Sequence, residues 1–200
     1  MSKRFLAVLV AVFSGSMAVH AQDTIGYSYL SADYIDFSGD TGFSGATELG
    51  DGDGFDVGVS AVTGKAFHVF GNYSELSVDA TAGSAGTDVT QWDVGAGWHG
   101  GLGAKADLVF DVSYVDFEAS GGGARISDTG FGVGVKVRGN VAVLELAGFV
   151  EYIELGDVSD ETYGAEILYN ISRSFSVGVG YDTNDNGDRL TGGLRLYWDK

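Results

Sequence analysis

The chain has no cysteine and no proline in 200 residues, only 11 lysines and arginines, and three histidines. Without cysteine there is no disulfide framework and no thiol chemistry, and nothing in cysteine usage identifies the redox compartment. The 28 acidic residues leave a net charge of −17. That argues against nucleic acid as a partner, because phosphate binding needs basic surface. No internal run reaches the roughly 18 apolar residues that a membrane helix requires. What is abundant is glycine, at 33 residues, together with Val, Tyr and Phe. Such a composition favours strands, and the length suits one domain.

The first residues, "MSKRFLAVLVAVFSGSMAVHA", carry Lys3 and Arg4, then an apolar run from Phe5 to Phe13. Val19 and Ala21 fit the small-residue positions before a signal-peptidase cut. The expectation is a signal peptide over 1–21, cleaved after Ala21, and a single domain over 22–200. The apolar run is too short to span a bilayer.

Beyond Gln22 one pattern repeats: about ten residues alternating apolar with small or polar, then a turn. "FGVGVKV" places Phe131, Val133, Val135 and Val137 on one face and Gly132, Gly134 and Lys136 on the other. "WDVGAGW" and "FSVGVGY" behave alike. Period two means strands with one apolar face. Ten segments are predicted: 24–35, 53–62, 66–77, 88–98, 104–117, 128–138, 141–154, 161–170, 174–183 and 189–198. Short connections (63–66, 99–103, 138–140, 171–174) alternate with longer ones (36–52, 78–87, 118–127, 155–160, 184–188). That is the pattern of short periplasmic turns and longer outer loops.

The face opposite the apolar one carries Asp93, Asp107, Asp111, Lys136, Arg138, Glu145, Glu151, Glu166 and Arg195. Charges of both signs suit a barrel lumen better than the core of a soluble sandwich. On the apolar face, aromatics recur six residues apart: Phe67 and Tyr73, Trp92 and Trp98, Tyr163 and Tyr169, Phe175 and Tyr181. Six residues climb roughly 15 Å of membrane on a tilted strand, so each pair can reach both interfaces as an aromatic girdle, with Trp198 added near the end. The predicted fold is an all-β, closed, antiparallel transmembrane barrel of ten strands, with eight as the alternative. The location expected is the bacterial outer membrane.

The segments "AFHVFGNYSEL", "WDVGAGW", "LELAGFVEY" and "GLRLYW" resemble those of small outer-membrane barrels from gammaproteobacteria, part of the wider porin-like group. Some members are described as immune elicitors or quorum-related proteins, but the resemblance implies no such role for this chain. The C-terminal "TGGLRLYW" also resembles the signal read by the outer-membrane assembly machinery, with Gly193, Leu196 and Trp198 in the matching places. Here Asp199 and Lys200 follow, where that signal ends on an aromatic.

Three motifs suggest chemistry and are read otherwise. In "YDTNDNGDRL", Asp182, Asn184, Asn186 and Gly187 imitate the front of a calcium loop. The twelfth position is Gly193, where a bidentate Glu is needed, and Asn-Gly between alternating segments predicts a hairpin. "GFGVGVKVRG" lies within a strand, with no helix to form a phosphate cradle. His68 and His99 fall at the periplasmic end, and no Ser/His/Asp group is recognisable, so no catalytic site and no cofactor are predicted. The partners expected are outer-membrane lipid and lipopolysaccharide, the assembly machinery, and divalent cations held weakly at acidic loops such as "ELGDGDGFD". Two functions remain open: a structural or surface-interaction barrel, or a narrow cation-preferring channel.

Overall fold

The computed structural model describes residues 25–39, 50–79 and 86–200. The expected signal peptide and the cut after Ala21 lie outside them. Ten strands follow in order: β1 (Tyr29–Gly39), β2 (Gly52–Val62), β3 (Phe67–Val78), β4 (Thr87–Gly101) and β5 (Ala106–Gly121). Then come β6 (Ala124–Val141), β7 (Leu144–Leu155), β8 (Val158–Asn170), β9 (Phe175–Asn184) and β10 (Gly187–Tyr197). Each pairs antiparallel with its sequence neighbours, and β1 closes on β10, with Tyr29 opposite Tyr197. Closure removes both sheet edges, so every strand has a partner on each side.

Alternation decides which face points where. On β6, Phe131, Val133 and Val135 are 42–47% exposed, whereas Arg138 is 4% exposed. Large apolar side chains are thus exposed all round the outside, and polar ones are shielded within. A water-soluble barrel has the opposite arrangement. An apolar exterior is stable only against lipid.

The structure settles the strand count at ten and corrects the outer connections. Three of the expected longer loops are two-residue turns: Gly122–Gly123, Gly156–Asp157 and Asp185–Asn186. Gly122, Gly123 and Gly156 adopt positive φ (59°, 84° and 56°), which glycine supplies without strain. β5 and β6 consequently run for 16 and 18 residues. "DTNDNGD" forms the β9–β10 hairpin: Asn184 Oδ1 accepts from the backbone of Asn186 (2.9 Å) and Gly187 (3.1 Å). β1 begins and ends later than the predicted 24–35, because Ile35 and Phe37 continue the strand with their side chains inward. Of "ELGDGDGFD", residues 48 and 49 lie outside the described residues, and Gly52–Asp56 belongs to β2.

Candidate functional site

The interior divides into three levels, beginning at the end that holds both described chain termini. There, strands β6, β7 and β10 aim Arg138, Glu145 and Tyr197 at one another. Glu145 is 1% exposed. It pairs with Arg138, accepts from the Tyr197 hydroxyl at 3.2 Å and meets the Lys200 ammonium at 2.9 Å. Lys200 also donates to Asn170 Oδ1 at 2.9 Å, and its side chain is wholly shielded. Arg138 reaches the Gly26 carbonyl at 3.0 Å. Asp199 Oδ2 accepts from the backbone N–H groups of Tyr27 (3.1 Å) and Ser28 (2.8 Å). Residues 25–28 and 198–200 are therefore drawn together across this end. Arg195 binds Glu166 at 2.7 Å and lies over the Tyr29 ring.

The two histidines lie beside this network. The His99 ring stacks on Tyr27 at 3.8 Å. His68 Nε2 faces Asp111 Oδ1 at 3.1 Å, and the two Nδ1 atoms are 3.5 Å apart. Tyr27 gives its hydroxyl to Asp107 at 2.9 Å. At the opposite end Ile35, Phe37 and Val78 form a buried inward cluster on β1 and β3, with Leu76 packed against it. Across β8–β10 the inward groups of that end are polar: Asn184 and Asn186 donate to Asp160, and Arg189, opposite Phe37 in the register, pairs with Asp182.

Between these levels lies a cavity of about 220 Å³, lined in part by Phe70, Asn72, Asp93, Asp111, Lys136, Phe149, Glu151 and Arg189. Asn72 donates to Asp93 at 2.9 Å, and Arg189 pairs with Asp182 at 2.7 Å.

All nine expected lumen charges lie on the inward face, and most are engaged: Arg138 with Glu145, Arg195 with Glu166, Asp93 with Asn72, Asp107 with Tyr27 and Asp111 with His68. Sequence reading missed Asp33, Asp56, Asp182, Arg189 and Lys200 as interior charges. Alternation identifies the first two, since Asp33 and Asp56 share the parity of inward positions and sit opposite each other. Lys200 could not be found that way, because it lies beyond the last strand.

The expected girdle residues occupy the outward face. Phe67, Trp92, Trp98, Tyr169, Tyr181 and Trp198 are 39–58% exposed, and Tyr73 is 39% exposed. Tyr163 and Phe175 share that face and are partly covered. Phe55, Tyr114 and Phe110 extend the rings, stacking near Tyr73, Trp92 and Trp98 at centroid distances of 5.6–5.9 Å. Of the expected assembly-signal residues, Leu196 and Trp198 face outward and Gly193 sits opposite Asp33 on β1.

Just beyond the outer aromatics comes a ring of outward carboxylates. Tyr73 donates to Glu75 at 3.1 Å and Tyr152 to Glu154 at 3.0 Å, and Tyr163 pairs with Glu161. Asp53, Asp116 and Asp188 occupy outward positions on β2, β5 and β10. The basic exception is Arg125, which meets Glu118 at 2.5 Å.

An apolar, aromatic-bearing exterior around a charged interior, closed by ten antiparallel strands, defines an outer-membrane β-barrel. Solved structures agree on that fold. The β domain of the Bordetella autotransporter BrkA matches with a TM-score of 0.58 at 10% identity, over 87% of this chain and 100% of that one. The transport unit of the autotransporter AIDA-I from Escherichia coli matches at 0.53 and 11% identity, over 98% and 97%. The translocator domain of the autotransporter NalP from Neisseria meningitidis matches at 0.51 and 10%, over 98% and 94%. No protein-family model and no curated protein sequence matches the chain.

Proposed function

We propose that the protein is an integral outer-membrane barrel with a structural or surface-interaction role, exported with residues 1–21 removed, and not an enzyme. The observation that carries this reading is the filled interior. One end is occupied by the Arg138–Glu145–Lys200 network. The other holds Ile35, Phe37 and Val78 on β1 and β3, with Asp160 and the Arg189–Asp182 pair facing in from β8, β9 and β10. Side chains packed from several walls leave little room for a steady water column. The histidines support the non-catalytic reading, because both are engaged at the end holding the termini, with Tyr27, Asp111 and each other.

The partners in this reading are outer-leaflet lipid and lipopolysaccharide. The carboxylate ring of Glu75, Glu154 and Glu161 lies just past the tyrosines that mark the interface. Carboxylates do not bind phosphate directly, so divalent cations shared between the two are the natural bridge. Gly193, Leu196 and Trp198 serve the assembly machinery.

A narrow cation-preferring channel is the second reading. Acids outnumber bases on the inner wall, and such rings favour cations. Planar-bilayer recording of the refolded protein separates the two. The structural reading expects no steady conductance. A steady conductance whose reversal potential under a salt gradient shows cation preference overturns it in favour of the channel.

A further inference from the structure

Two interior charges face one cavity without an ion-pair partner. Lys136 and Glu151 both line the 220 Å³ space. Neither takes part in any ion pair within 4.0 Å among the described residues. The Lys136 ammonium has the Phe149 ring 5.5 Å away. In the β6–β7 register Lys136 is opposite Phe149 and Glu151 is opposite Gly134, so the two charges are diagonal neighbours. The wall's arginines are occupied, Arg189 by Asp182 and Arg138 by Glu145, whereas Asp111 faces only the His68 ring, and its Oδ1 accepts no hydrogen bond. Asp93 receives only the Asn72 amide.

Space is kept open between these charges. A Cβ on Gly134 would meet nothing nearer than the Asp111 Cβ at 3.7 Å and the Val150 carbonyl at 3.9 Å. An enclosed charge without a partner is costly. A guest that brings a carboxylate to one charge and an ammonium to the other relieves both costs at once. Phe70 and Phe149 add the apolar wall typical of a small-molecule site.

We propose that this cavity binds a small zwitterion of amino-acid size, with its carboxylate on Lys136 and its ammonium between Glu151 and Asp93. The wall groups outside any arginine ion pair are three carboxylates, Asp93, Asp111 and Glu151, and one ammonium, Lys136. A dibasic amino acid therefore binds more tightly than a neutral one, and a dicarboxylic one binds least. The proposal stands apart from the question of conductance, since a bound guest is compatible with an interior filled at both ends.

Equilibrium dialysis of the full barrel, refolded in detergent, tests it with radiolabelled lysine, glycine and glutamate. Saturable binding is expected in the order lysine, glycine, glutamate. Lys136→Gln and Glu151→Gln should each weaken glycine binding by about tenfold or more, the loss of one charged hydrogen bond. Gly134→Val should abolish binding by filling the space. Each variant is first shown to refold by its heat-modifiable migration on gels, and Arg125→Gln, far away at the β5–β6 tip, should bind as the parent does. No saturable binding of any of the three amino acids overturns the proposal. So does binding that both charge variants leave unchanged, or a preference for glutamate.

Discussion

Replacing Glu145 by Gln removes the carboxylate on which the inner network converges. The side chain is 1% exposed and its partners are equally shielded: Arg138 at 5% and Lys200 at 0%. Arg195 Nη1 stands a further 3.9 Å from the same carboxylate. Glutamine keeps the shape and one acceptor but leaves two buried cations without a counter-charge. Breaking a buried pair in this way costs about 3–5 kcal/mol. At about 1.4 kcal/mol per tenfold, that is roughly a hundred- to several-thousandfold in the folding equilibrium. The exposed pair Glu118–Arg125 provides the contrast. Its side chains are 33% and 70% exposed, and solvent screening reduces such a pair to about 0–1 kcal/mol. Urea unfolding in lipid vesicles, followed by tryptophan fluorescence, measures both variants. Trp92, Trp98 and Trp198 all face outward and report the loss of lipid contact. Equal stabilities for Glu145→Gln and Glu118→Gln would refute the idea that the inner network holds the barrel together.

Two further outcomes are expected. Val135→Arg should lower stability in vesicles by about 2–4 kcal/mol, while Lys136→Gln should change it little. Val135 is 42% exposed on the lipid side and Lys136 faces the cavity, so similar refolding yields would mean that the facing is inverted. Ala142 occupies the β6–β7 turn at φ 59°, a conformation that costs a non-glycine residue about 1–2 kcal/mol. Ala142→Gly should therefore raise the unfolding midpoint, because relief of that strain exceeds the several tenths of a kcal/mol that glycine's extra freedom adds to the unfolded chain. A lowered midpoint would show that the turn is unstrained.

Strict alternation made the barrel legible in the sequence. Runs such as Trp92–Trp98 admit only one facing once the outside is known to be apolar. The outer ends were less legible. Above the bilayer both faces of a strand are polar, so period two fades, and residues 118–121 and 124–127 looked like loop. At β1 the difficulty was reversed, because Ile35 and Phe37 are apolar yet point inward, against the rule that served elsewhere. Inner-wall charges could be placed by parity, but their pairings could not. Glu145 and Arg138 are only seven residues apart, whereas the Glu145–Lys200 contact spans 55. Long-range contacts of that kind follow from barrel curvature, to which local pattern is blind.

The seam between β1 and β10 also bears on how the chain folds. Nine of the ten pairings join consecutive strands, and the tenth brings Tyr29 to Tyr197. That step closes nearly the whole chain into a loop, and its entropy must be met before its contacts give anything back. Tyr27 and Asp199 finish within hydrogen-bonding distance, so a short linker could join the two ends. New termini opened at Gly122–Gly123 would then turn the present seam into an ordinary hairpin. The β5–β6 pairing, the longest in the barrel, would become the slow closing event. Refolding such a circular permutant beside the parent would show whether the order of assembly follows connectivity or the shape of the finished wall.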